Sequence, residues 1–103
     1  MWVFVFFDLP TETKQQRKKA AKFRDNLIKS GFYMMQFSVY IRHAASLESA
    51  RAQVKRVQSF MHANEGHIAI LLITDKQYGE IINIYGADMG PPKAKPAVQL
   101  QLF

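Results

Sequence analysis

Two stretches of this chain are apolar at almost every position. Trp2-Val3-Phe4-Val5-Phe6-Phe7 and Ile68-Ala69-Ile70-Leu71-Leu72-Ile73 are rich in β-branched and aromatic residues and too short for helices, which predicts two strands that are apolar on both faces. Between them the pattern changes to a helical period. Thr13, with Gln16 three residues on, forms the sequence of a capping box, and Gly31 marks the end of the helix it opens. Ala20, Phe23, Leu27 and Ile28 give this helix an apolar stripe, opposite Lys14, Lys18, Lys22, Asp25 and Lys29. A second helix starts at Ser46, supported by Glu48 in its first turn, and runs to about Ala63 with Leu47, Ala50, Val54, Val57 and Met61 inward. The stretch from Phe32 to His43 reads as two short strands joined by a tight turn around Gln36-Phe37. Asn64-Glu65-Gly66 is a turn, and Tyr78 to Tyr85 is a further strand candidate. Gly86 to Pro96 reads as an extended connector, and Val98 to Leu102 alternates with period two as a terminal strand.

The order strand, helix, two strands, helix, strand predicts an α+β fold, a ferredoxin-like βαββαβ sandwich, with an additional C-terminal strand. Residues 1–86 are expected to form that domain and residues 87–103 the connector and terminal strand. Both helices cover the same face of the sheet. The other face, carrying half of each doubly apolar strand, would then expose a large patch, and face-to-face packing of two sheets in a twofold homodimer would remove it.

Composition narrows the function classes. A length of 103 residues, 49% hydrophobic, holds one compact domain and no separate cofactor domain. The absence of cysteine excludes a disulfide framework, a thiolate metal site and a cysteine nucleophile, and suits a cytoplasmic setting. No run reaches the roughly 20 apolar residues of a spanning helix, and the apolar start is cut by Asp8 without a basic leader, so a soluble, unprocessed chain is expected. Fourteen Lys and Arg against eight Asp and Glu give a formal charge of +6. Between Thr11 and Ser30 seven basic residues face only Glu12 and Asp25, so most of the excess sits on the first helix, either as a solvated face or as a contact for a polyanion.

Candidate chemistry is sparse. Asp8 ends the first strand on the face of Trp2, Phe4 and Phe6. It is either a turn residue ahead of Leu9-Pro10 or, if that face is the dimer face, one of two carboxylates that approach across the twofold axis and recruit a hard cation able to polarise a phosphodiester. His43, His62 and His67 lack ligand spacing, and Ser38 lacks the glycine elbow of a nucleophile. No phosphate-cradling glycine loop, dinucleotide fingerprint or RNA-recognition motif is present.

Phe6-Phe7-Asp8-Leu9-Pro10, a basic first helix ending at Gly31-Phe32, and Met35-Gln36-Phe37-Ser38-Val39-Tyr40, in that order, resemble the CRISPR-associated protein 2 family over nearly the whole chain. That resemblance implies a ferredoxin-like homodimer between dimers of the CRISPR-associated protein 1 integrase, a scaffold for prespacer double-stranded DNA in spacer acquisition, with integration chemistry belonging to the partner. It also implies a metal-dependent nuclease activity described for many members, with Asp8 as the catalytic and metal-binding residue and Mg²⁺ or Mn²⁺ as cofactor. By position it places Lys14, Arg17, Lys18 and Lys22, together with Lys93 and Lys95 of the connector, on the nucleic-acid backbone, and Val98 to Leu102 on the integrase. The Pro-rich connector departs from the family pattern. Two other classes stay open: a stand-alone Mg²⁺-dependent endoribonuclease, and a toxin-type ribonuclease resembling virulence-associated protein D. No membrane partner is expected.

Overall fold

The first strand is held in the middle of a sheet, as its apolar faces require. A computed structural model describes residues 1–60 and 66–87. The chain runs β1 (Trp2–Asp8), α1 (Lys14–Lys29), β2 (Tyr33–Gln36), β3 (Val39–His43), α2 (Leu47–Ser59), β4 (His67–Ile73) and α3 (Asp75–Gly79). The first six elements are the expected ferredoxin-like βαββαβ series. Their four strands form one antiparallel sheet in the order β2-β3-β1-β4. Two compact units are present, Met1–Ile73 and Thr74–Phe103.

Within the first unit, Val3 and Val5 on one face of β1 join Tyr40 of β3, Phe23 and Leu27 of α1, and Ala50 and Val57 of α2 in the core. Phe7 continues that face, with its ring 5.2 Å from Phe23 and 5.6 Å from Tyr40. The helix ends follow local rules. Thr13 caps α1 through its hydroxyl, which accepts from the Gln16 N–H at 3.1 Å, while the Gln16 side chain accepts from the Thr13 N–H at 2.9 Å. At the other end Gly31, at φ +90°, lets the Phe32 N–H reach the Leu27 carbonyl and its own N–H the Ile28 carbonyl. This is the Schellman arrangement, and it explains why glycine follows the helix.

The same helix end is fastened from outside. Arg42 of β3 donates to the Ser30 carbonyl and, at 2.9 Å, to Gln53 of α2. Arg56 of α2 donates to the Ser30 hydroxyl at 3.1 Å. Ser30 is the one buried polar residue among those described, and both its backbone and its side chain are satisfied.

Several expectations are corrected. Ile28 and Leu47 are exposed rather than inward, because each sits at the margin of its stripe, one residue from Leu27 or at the first turn of α2. The hairpin turn falls at Phe37-Ser38, one residue later than expected. Tyr78 to Tyr85 is not a strand: Thr74 caps a short helix with Gln77 in a second capping box, and residues 80–87 follow without regular structure. The capping pair outweighs the isoleucines, and that segment contributes no strand to the described sheet. The bare sheet face is smaller than expected. Trp2, Phe4 and Ile41 are buried, with Trp2 lying between its ladder partners His43 and Ile73 and edge-on to the His43 ring at 5.0 Å. Phe6 and Leu71 are the large apolar side chains exposed there. Met61, His62, Lys93, Lys95 and the terminal strand Val98 to Leu102 lie outside the described residues.

Candidate nucleic-acid interface and strand-end site

The basic residues of α1 stand on the solvent side because its apolar stripe is committed to the core. Lys14, Lys18 and Lys22 recur every four residues and are all exposed, which places three ammonium groups along one ridge. Arg17 is exposed too, but it is partly engaged. Its Nη1 donates to the Thr11 carbonyl at 3.2 Å and the Glu12 carbonyl at 2.9 Å, which folds the loop back onto the first turn of the helix. The structure therefore keeps the three lysines on one face and gives Arg17 a second, local duty.

Asp8 is the last residue of β1 and is exposed. Its ladder partner on β4 is His67, also exposed, so a carboxylate and an imidazole occupy directly opposed positions at the same end of the sheet. The backbone there is closely fitted. Gly66 adopts φ +90°, and a side chain on it would place Cβ 2.7 Å from the Asp8 carbonyl oxygen and 2.9 Å from Leu9. Only glycine fits that approach.

Beside this strand end lies a cavity of about 290 Å³, lined by Phe7, Asp8, Arg24, Phe37, Ser38 and Tyr40 among others. Arg24 lies seven residues, or two turns, beyond Arg17 on α1, away from the lysine ridge. Sequence reading passed over Arg24 for that reason: it counts toward the basic segment but breaks the spacing of four. Phe37 and Ser38 come from the β2–β3 turn, and the available signal was an aromatic residue standing in a tight turn.

Among the described residues no three His, Asp or Glu side chains converge, whereas Mg²⁺ seeks an octahedron of oxygens. Asp8 could supply one carboxylate to a divalent ion, whose other positions would be left to water or phosphate.

The family model for CRISPR associated protein Cas2 matches residues 1–81. This chain belongs to that family. A curated relative from Parvibaculum lavamentivorans, named CRISPR-associated endoribonuclease Cas2, is 48% identical over 103 residues, with both chains covered completely. Relatives with the same name from Flavobacterium psychrophilum and Campylobacter jejuni are 46% and 38% identical over the whole of this chain, covering 88% and 71% of their own lengths. The Cas2 match takes in both the Asp8 strand end and the α1 ridge. No helix among the described residues is long and apolar enough to cross a membrane.

Proposed function

We propose that this chain is the nucleic-acid-binding scaffold subunit of CRISPR spacer acquisition, a cytoplasmic homodimer that holds prespacer double-stranded DNA beside the CRISPR-associated protein 1 integrase. The observation that carries this reading is the exposed ridge of Lys14, Lys18 and Lys22 on a helix whose other face is locked into the core. A rigid row of ammonium groups neutralises phosphates but reads no base edges, which is the property a sequence-indifferent scaffold needs. The dimer is supported by Phe6 and Leu71, exposed on the sheet face away from the core, and by Ile82 and Ile84, which are 85% and 91% exposed.

A second activity is favoured by Asp8 and by the endoribonuclease name of the relatives. In that reading Asp8 from two copies would hold Mg²⁺ or Mn²⁺, and such an ion neutralises charge on a phosphodiester and activates water. One carboxylate per chain leaves most ligand positions to water, so the ion would bind weakly and cleavage would be slow.

The deciding experiment is a spacer-integration assay with the purified partner integrase, comparing native protein with Asp8→Asn and with Lys14, Lys18 and Lys22 all replaced by alanine. Retained integration by Asp8→Asn and loss by the triple variant support the scaffold. The reverse pattern would make the carboxylate the essential group and overturn it.

A further inference from the structure

The cavity at the end of β1 is separate from the lysine ridge, and its lining is unlike a phosphate track. Phe37, at the tip of the β2–β3 turn, is 89% exposed, so the chain's own packing does not use this ring. The turn that presents it is strained. Ser38 has φ 63°, the left-handed region that disfavours a residue with a side chain. Its carbonyl accepts the Phe7 N–H at 3.1 Å, which pins the turn to β1 one residue before Asp8. A two-residue hairpin turn needs such a left-handed conformation at one of its central positions, so the turn that carries Phe37 is tightly defined. Arg24 lines the same cavity, a planar fork suited to phosphate oxygens, with Thr11 and Ser38 adding hydroxyl-bearing positions to the lining.

We propose that this cavity is a subsite for one unpaired nucleotide of a single-stranded nucleic acid, with the base stacked on Phe37 and the phosphate held by Arg24 next to Asp8. The volume of about 290 Å³ lies at the lower end of ligand pockets and suits one nucleotide unit. Bases paired within a duplex are stacked on their neighbours and do not offer a free face to a side chain, whereas an unpaired base does. The subsite deepens the nucleic-acid reading above and rests on it for the class of ligand. It adds a preference that the lysine ridge cannot supply, because the ridge meets only backbone charge.

The test titrates the full-length protein with fluorescent oligonucleotides: a single-stranded dT 12-mer, a single-stranded rU 12-mer, and a mixed-sequence DNA duplex. Phe37→Ala should weaken single-strand binding roughly 5- to 100-fold, the range of one lost base stack, and leave duplex binding within about twofold. Phe37→Trp should restore single-strand binding and show quenching of its added fluorescence by the bound base. Arg24→Gln should weaken the single strands and lower the salt dependence of their binding. A loss on both rU and dT assigns recognition to base and phosphate, and a loss on one alone identifies RNA or DNA as the source; both support the subsite. If native protein binds the duplex while Phe37→Ala is silent on both single strands, or weakens all three ligands equally, the subsite is overturned and the scaffold reading stands. If native protein binds none of the three, both fall together.

Discussion

Asp8 and His67 are opposed residues of the β1–β4 ladder, both exposed at the same end of the sheet. Directly opposed positions in an antiparallel pair hold their Cβ atoms about 4.5–5.5 Å apart, close enough for charge to matter. Replacing His67 by Asp should therefore destabilise the fold by roughly 0.2–1 kcal/mol through like-charge repulsion, and Asp8→Asn should remove that penalty. Urea unfolding of both single variants and the double variant measures the coupling. Additive effects would mean that the two side chains do not sense each other.

Gly66 controls the same strand end through the main chain. Gly66→Ala combines a left-handed φ with a Cβ 2.7 Å from the Asp8 carbonyl, so backbone has to move. The expected cost is on the order of 1–3 kcal/mol, with a shift of the Asp8 amide resonance in NMR spectra. A variant as stable as the native protein would show that the approach relaxes freely.

For the α1 ridge, the expected readout is salt dependence. Each phosphate neutralised on duplex DNA contributes about −0.9 to the slope of log K against log salt, so replacing Lys14, Lys18 and Lys22 together should lower the slope by about two to three. Arg17→Ala should lower it by less than one of these lysines does, because its guanidinium already holds the Thr11 and Glu12 carbonyls. Equal slopes for native and triple variant would make the ridge a solvated face.

The exposed apolar side chains of the sheet predict the assembly state. Light scattering should give about 24 kDa for the native protein, twice the 11.9 kDa chain mass. Phe6→Lys with Leu71→Lys should give the monomer mass, since two charges on that face cannot be buried unpaired. A native monomer would remove the shared-metal reading of Asp8 as well.

The elements that were legible in the sequence are those whose signals are local. Thr13 with Gln16, and Gly31 before Phe32, mark α1 within a turn of its true ends, and doubly apolar runs identify β1 and β4 as strands, although only β1 is central with a buried stretch, while β4 forms the sheet edge and has no buried residue. Tyr78 to Tyr85 misled because three isoleucines suggest β structure, whereas Thr74 with Gln77 initiates a helix just upstream. Asp8 was found because it closes an apolar run. Its neighbours were not, since His67, Gly66 and Arg24 reach it only through strand pairing and packing between residues distant in sequence. Spacing along a helix likewise identified the lysine ridge but gave no hint that Arg17 bends back onto its own loop.

The double tie at Ser30 has a mechanical consequence. With its carbonyl held by Arg42 and its hydroxyl by Arg56, the end of α1 is riveted to β3 and to α2. Lys14 and Lys18 lie in the half of the helix away from that tie and Lys22 near its middle, so load on the ridge runs along the rod toward its fastened end. A pull on Lys14 or Lys18 by a stiff polyanion is delivered through Ser30 to the sheet and the second helix, instead of being spent on fraying a surface helix.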